Sequence, residues 1–286
     1  MKKISIIIPT YKPREYIWEC LNSIKNQTFT KELYEVLIIL NGSEESYFDK
    51  INKYILENQL SNFILIYTEK QGVSNARNIG LDIMKGEYVV FLDDDDYLSN
   101  NYLENCSKKI NKRTIVVTNN IAFDDKNGKE LVKEKLWINF FNQKITNIIK
   151  VRRIFSNVCM KMIPKNIVDK TRFDIELKNG EDSLFMLEIS NKIKYIEILD
   201  KKTIYYRRVR KDSAHYGNKT IIEITKNTII QLQKYIKLLI KKEYSPKFVF
   251  LRILAILKGT IILLKFKIKE ELYIIYSNLL KLKNNK

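Results

Sequence analysis

Residues 87–98 read EYVVFLDDDDYL, an apolar run that ends in four consecutive aspartates, Asp93 to Asp96. Tyr88, Val89, Val90, Phe91 and Leu92 form a continuous β-branched and aromatic stretch, the pattern of a strand buried on both faces of a parallel sheet. Such strands sit in α/β proteins. The carboxylates fall just past the C-terminal end, which is the edge where open α/β sheets bind their ligands. In a desolvated crevice, adjacent like charges raise one another's pKa unless a cation neutralises them. A divalent ion suits hard oxygen donors, and one or two carboxylates plus substrate phosphates is the usual way Mg²⁺ is held. An acidic turn capping the next helix is the plainer alternative, since Asp favours N-caps and turns. The run therefore needs support from the rest of the chain.

Upstream of it, strand and helix patterns alternate. KISIIIPTY reads as a strand ending in a loop, and EYIWECLNSIKNQ has helical spacing with Ile17, Leu21 and Ile24 on one face. EVLIIL is a second buried strand closed by the turn Asn41-Gly42-Ser43; SYFDKINKYILENQ is helical, NFILIYTE a third strand and SNARNIGLDIMK a helix before the EYVVFL strand. This βαβαβαβ order predicts a mostly parallel sheet with helices on both faces. The loops after the first, second and fourth strands then gather at one rim. No internal repeat, low-complexity segment or flexible linker interrupts the chain, and residues 112–156 show only helical fragments.

With 286 residues, 45% of them hydrophobic and 11% aromatic, the chain can bury a real core, which excludes a disordered protein. Cys20, Cys106 and Cys159 are far apart, with neither a CxxC pair nor a zinc spacing, so reduced thiols are expected. The apolar part of MKKISIIIPTYKP is too short for a signal peptide and meets Pro9 at once, so a cytoplasmic location is expected. The net charge is +18, and fifteen Lys and Arg against four Glu fall within residues 219–286. That placement points to an anionic partner, nucleic acid or an anionic membrane.

Taken together and in order, Pro9-Thr10-Tyr11, Gln27-Thr28, Asn41-Gly42-Ser43, the stretch Gly72 to Gly80 (GVSNARNIG), Lys85-Gly86-Glu87-Tyr88 and Phe91-Leu92-Asp93-Asp94-Asp95-Asp96 resemble the N-terminal half of the GT-A fold glycosyltransferases of family 2. Further on, Asn179-Gly180-Glu181-Asp182, followed by Ser183-Leu184-Phe185, resembles the family's second acidic motif. The resemblance implies an α/β GT-A fold, a Rossmann-like, mostly parallel sheet with helices on both faces. It would occupy residues 1–218, with a nucleotide-binding half over about 1–110 and an acceptor half over about 111–218. A helical basic C-terminal region over 219–286 would follow.

The resemblance also implies an inverting transfer from a nucleotide diphosphate sugar, a UDP-sugar by family frequency, to a saccharide or lipid-linked saccharide in cell-surface polysaccharide synthesis. Asp93 and Asp95 correspond to the DxD motif: Asp93 approaches the ribose and the metal region, Asp95 ligates Mn²⁺ or Mg²⁺, Asp96 shapes the loop, and Asp94, at the donor side, faces solvent. A metal there stabilises the charge that develops on the leaving diphosphate. In the second motif Asp182 corresponds to the base that activates the acceptor hydroxyl, with Glu181 holding the acceptor; both residues would also suit the first turn of a helix. Thr10, Tyr11 and Arg77 correspond to donor contacts. The family commonly has an acidic pair after strand two where this chain has Leu40-Asn41, and the Asn41 amide can both donate and accept.

His215, the only histidine, lies in YYRRVRKDSAHYG; the resemblance makes it a third metal ligand, while an exposed loop residue is the alternative. Arg207, Arg208, Arg210 and Lys211 in the same stretch could close over the diphosphate. In the tail, FVFLRILAILKGTIILLKFKIK is broken by Arg252, Lys258 and Lys265, so no run reaches the ~18 to 20 apolar residues of a spanning helix. Its composition suits a helix lying in a membrane interface, peripheral to the inner face of the cell membrane; packing on the catalytic domain or a homo-oligomer is the alternative. A nucleic-acid-binding protein would leave the acidic cluster unexplained, so no nucleic-acid partner is expected. A dinucleotide-dependent oxidoreductase would need GxGxxG after the first strand, where PTYKPR has no glycine.

Overall fold

The structure, a computed structural model, describes residues 3–42, 46–126, 128–131, 138–210 and 220–284. The expected alternation is present: β1 (Ile4–Thr10), α1 (Tyr16–Lys25), β2 (Tyr34–Asn41), α2 (Tyr47–Glu57), β3 (Phe63–Thr68), α3 (Val73–Ile83) and β4 (Tyr88–Phe91). These four strands pair in parallel in the order β3-β2-β1-β4. Every residue of β1 and β2 is buried, as their unbroken apolar runs require of central strands. Gly80 lets α3 lie close on β1, because a Cβ there would come within 2.5 Å of Ile7 Cγ2.

Residues 112–156, unreadable beyond helical fragments in the sequence, carry four short strands instead. After β5 (Tyr97–Leu98) and α4 (Tyr102–Ser107) come β6 (Thr114–Val117), β7 (Asn119–Asp124), β8 (Glu130–Leu131) and β9 (Gln143–Ile145). Their short lengths and dispersed apolar residues hide the period. Next follow β10 (Lys161–Pro164), α5 (Lys165–Val168), α6 (Glu181–Glu188), β11 (Tyr195–Ile198) and β12 (Ile204–Val209). The main sheet runs β3-β2-β1-β4-β10-β6-β11-β9, with β10 antiparallel to both of its neighbours; a second sheet runs β5-β12-β7-β8. Arg207 and Arg208 therefore lie on a strand, β12.

The chain divides into two compact units, Met1–Glu176 with Glu181–Lys211, and Leu177–Gly180 with Asp212–Lys286. In the second unit α7 (Ile221–Ile240) begins with a capping box, in which Thr220 and Glu223 satisfy each other's backbone N–H groups. It packs along α8 (Pro246–Asn284), and Thr228 and Thr260 hydrogen-bond across the pair at 2.9 Å. No helix of the described residues is long and apolar enough to cross a membrane.

Candidate active site

The first unit brings the ends of β1 and β2 to the start of α3. Asn41 Nδ2 donates to the Thr10 carbonyl at 2.7 Å, and its Oδ1 accepts the Gly72 N–H at 2.8 Å. Gly72 takes φ +135°, a conformation open to glycine, and so turns the chain into the helix. Asn41 thus has both halves of its amide engaged inside the protein. Thr10 is fully buried, and its hydroxyl finds no partner among the described residues. Tyr11, at 43% exposure, is the accessible one of the expected donor contacts on these strands.

Arg77, one helical turn into α3, is only 3% exposed. Its guanidinium lies 5.3 Å from the centre of the Phe173 ring, and Phe173 stacks on Phe185, with ring centres 4.0 Å apart. Against that apolar backing Nη1 donates to Asp182 Oδ1 at 2.6 Å and Nη2 to Asp93 Oδ1 at 2.9 Å, while Glu181 Oε1 is 3.6 Å from Nη1. Burial opposes the charge, but Asp182 and Asp93 outweigh it, so the Arg77 pKa lies above its ordinary value. The other oxygens are held as well: Val158 N–H donates to Asp182 Oδ2 at 3.2 Å, and the Cys159 thiol to Asp93 Oδ2 at 3.5 Å. One buried cation therefore joins the two acidic motifs. Burial, then Asp182, push Glu181 up to about 7; burial, partly offset by Arg77, also raises Asp182.

The rest of the aspartate run is divided by depth. Asp96 is buried, accepting the Tyr205 hydroxyl at 2.6 Å and the Arg208 N–H at 2.7 Å, so it anchors the loop to β12. Asp95 pairs with Arg210 at 2.6 Å, and Arg210 in turn lies 4.6 Å from the Tyr16 ring centre. Asp94, expected to face solvent, is half-buried and accepts a backbone hydrogen bond from Tyr11. The turn folds it back towards β1. Burial first and neighbouring aspartates second raise the pKa values of Asp94, Asp95 and Asp96. Arg208 pairs with Glu19 and with Asp125, whereas Arg207 is exposed. His215 and Lys211 lie outside the described residues, as does Ser43.

No group of three His, Cys, Asp or Glu side chains among the described residues is arranged to hold a metal ion. The donors at hand are hard carboxylates crowded together at one rim, which suits a divalent ion that brings phosphate oxygens of its own. Val158, Cys159, Tyr205 and Tyr16 completed the site without any sequence signal. Each contributes through a backbone group, a thiol or an ordinary aromatic whose partner lies far away in the chain.

The profile described as Glycosyl transferase family 2 matches residues 5–172. The minor teichoic acid biosynthesis protein GgaB of Bacillus subtilis is 30% identical over 241 residues, covering 79% of this chain and 26% of that protein. A poly(ribitol-phosphate) beta-glucosyltransferase of Bacillus spizizenii is 30% identical over 220 residues, covering 74% of this chain and 33% of that protein. The chain thus spans between a quarter and a third of the length of these two relatives. Among solved structures, residues 1–349 of S. aureus TarS in complex with UDP-GlcNAc superpose with a TM-score of 0.72 at 23% identity, covering 88% of this chain and 71% of that one.

Proposed function

This chain belongs to glycosyl transferase family 2, and on that premise we propose that it moves a sugar, with inversion, from a nucleoside diphosphate sugar to a hydroxyl of a cell-surface saccharide polymer or lipid-linked saccharide. The observation that carries the reading is the Arg77 bridge, which unites the DxD aspartate Asp93 and the acidic pair in one site. The UDP-GlcNAc bound in the TarS complex supports a UDP-sugar donor, and the beta-glucosyltransferase of Bacillus spizizenii supports a hexosyl transfer.

Asp182 takes the proton of the acceptor hydroxyl. Its pKa, raised by burial, brings it nearer the operating pH than an exposed aspartate, as a general base requires. Arg77 orients that carboxylate, and Glu181 holds the acceptor beside it. Tyr11 packs on the nucleoside. Mn²⁺ or Mg²⁺, held by Asp95 and Asp93 with the donor's phosphate oxygens, would supply Lewis-acid stabilisation of the diphosphate leaving group. Arg210, paired with Asp95 in the free protein, is the cation placed to meet the diphosphate.

Attachment to an anionic membrane surface through α8 completes the proposal. Lys258, Lys265 and Lys269 are exposed on it beside exposed Leu254, Ile262, Leu263 and Phe266. Incubating the full chain with UDP-, GDP-, dTDP- and CMP-sugars, with and without Mn²⁺, tests the chemistry. Turnover of one donor in Mn²⁺, with an inverted product by NMR, is expected. A chain neither stabilised by nor active on any of these donors contradicts the reading.

A further inference from the structure

Lys161 opens β10 and has none of its surface exposed. Its strand lies between β4 and β6 in the middle of the main sheet, where an apolar side chain would pack without the cost of desolvating an ammonium. The three N–H groups of Nζ are all used: they donate to the Asn157 carbonyl at 3.0 Å, Asn157 Oδ1 at 2.9 Å and the Cys159 carbonyl at 3.0 Å. These bonds close the turn 157–160 on itself, and within it Met160 takes the left-handed φ of +57°. The same turn delivers the Val158 N–H to Asp182 and the Cys159 thiol to Asp93.

We propose that Lys161 is a positioning residue of this site: it clamps the 157–160 turn, whose Val158 and Cys159 fix the carboxylates of both acidic motifs. The inference rests on the reading of Asp182 as the base. The charged and titratable groups that act on Asp182 are Arg77 from α3, Asp93 from the loop after β4, Cys159 from the turn, Glu181 beside it on α6 and Lys161 from β10. Of these, Arg77 and Lys161 favour its ionised form. Arg77 is shared with Asp93, whereas Lys161 reaches the acidic centre from the sheet side, through the turn.

The test uses the full chain with Lys161→Met and, separately, Asn157→Ala, which removes one acceptor of the clamp but keeps the charge. Folding is checked by circular dichroism and melting. Turnover is measured with the active donor, and the Asp182 carboxyl is titrated by ¹³C NMR, its resonance identified by its loss in Asp182→Asn. In K161M, kcat is expected to fall by at least ~10-fold with donor KM within ~3-fold, and the Asp182 titration to move to higher pH. In N157A, kcat falls less and the titration stays where it was. A K161M chain with wild-type kcat and an unmoved Asp182 overturns the proposal. So does one whose kcat and KM worsen together with melting while Asp182 is unmoved, because Lys161 is then a structural residue only. If K161M does not fold, wild-type kcat in N157A overturns the clamp. If the wild-type chain turns over no donor, the proposed function fails, while the carboxyl titration still decides the role of Lys161.

Discussion

Arg77 and Asp182 are 105 residues apart in sequence and meet at 2.6 Å between Nη1 and Oδ1. The same guanidinium reaches Asp93 through its other terminal nitrogen. A guanidinium carries its donors on separate, fixed nitrogens, so its two ends reach carboxylates on different sides, a span that the compact head of an ammonium does not cover. The two acidic motifs are therefore one electrostatic unit, and substitutions within it will not add independently.

Arg77→Lys keeps the charge but removes the fork. One of the two carboxylates is then left without its partner in a buried setting. Breaking a buried pair costs ~3–5 kcal/mol, and the partial exposure of Asp93 places the loss toward the lower end. The expected outcome is a melting temperature lowered by several degrees and turnover reduced ~10²-fold or more. Scanning calorimetry and donor turnover measure both, and a variant matching wild type in each contradicts the bridge.

Asp182→Asn preserves shape and still accepts from Val158, so folding and donor binding are expected to survive. A base of the proposed kind acts only in the transition state, so kcat should fall ~10²-fold or more with donor affinity within ~3-fold. An equal loss of donor affinity would reassign Asp182 to the nucleotide site.

How much of this was legible is best seen along α3. SNARNIGLDIMK carried the helix, because local period is written in adjacent residues, while the place of Arg77 among the site residues came from the resemblance to the family motif. That Arg77 faces two carboxylates was not legible, since the partner 105 residues away is set by packing of α6 against the sheet. Asp96 illustrates the same limit: four identical letters gave no hint that one would be buried under Tyr205 while its neighbour Asp95 met Arg210. Residues 112–156 failed for another reason. Their strands are two to six residues long, too short for a period to emerge.

Glu181 gives the pH dependence its sign. Burial and Asp182 raise its pKa from 4.5 to about 7, so the folded chain holds that proton more tightly than the unfolded one. Its contribution is whole below about pH 4.5 and is lost as pH rises through about 7. Asp94, Asp95, Asp96 and Asp182 are raised too and act in the same direction. The melting temperature of the free chain is expected to fall over that window, and Glu181→Gln to flatten part of the slope. A wild-type melting temperature that rises across the window contradicts the burial of these carboxylates.

Asp95→Ala removes a proposed metal ligand and, with it, one charge from a crowded rim. The relief of repulsion from Asp93 offsets the lost Arg210 pair, so melting is expected to stay within a few degrees of wild type. Donor binding that depends on Mn²⁺ should disappear in calorimetric titration. Unchanged Mn²⁺-dependent affinity would move the metal elsewhere.

The tail tests the positive excess. Lys258, Lys265 and Lys269 are exposed on α8 among exposed Phe250, Leu254, Ile261, Ile262, Leu263 and Phe266, which is the composition of a helix that rests in an anionic interface. Each basic residue near such a surface contributes about 1 kcal/mol, and the attraction fades over a Debye length of ~8 Å at physiological salt. Replacing all three lysines by Gln should therefore weaken binding to phosphatidylglycerol vesicles by ~10²-fold, since every ~1.4 kcal/mol is a factor of ten. The full chain is expected to sediment with these vesicles at low salt, to leave them in part at high salt, and to ignore phosphatidylcholine. If it ignores both lipids and instead elutes as a dimer that Phe266→Glu dissociates, the apolar face of α8 covers a second copy of the chain and the membrane assignment fails.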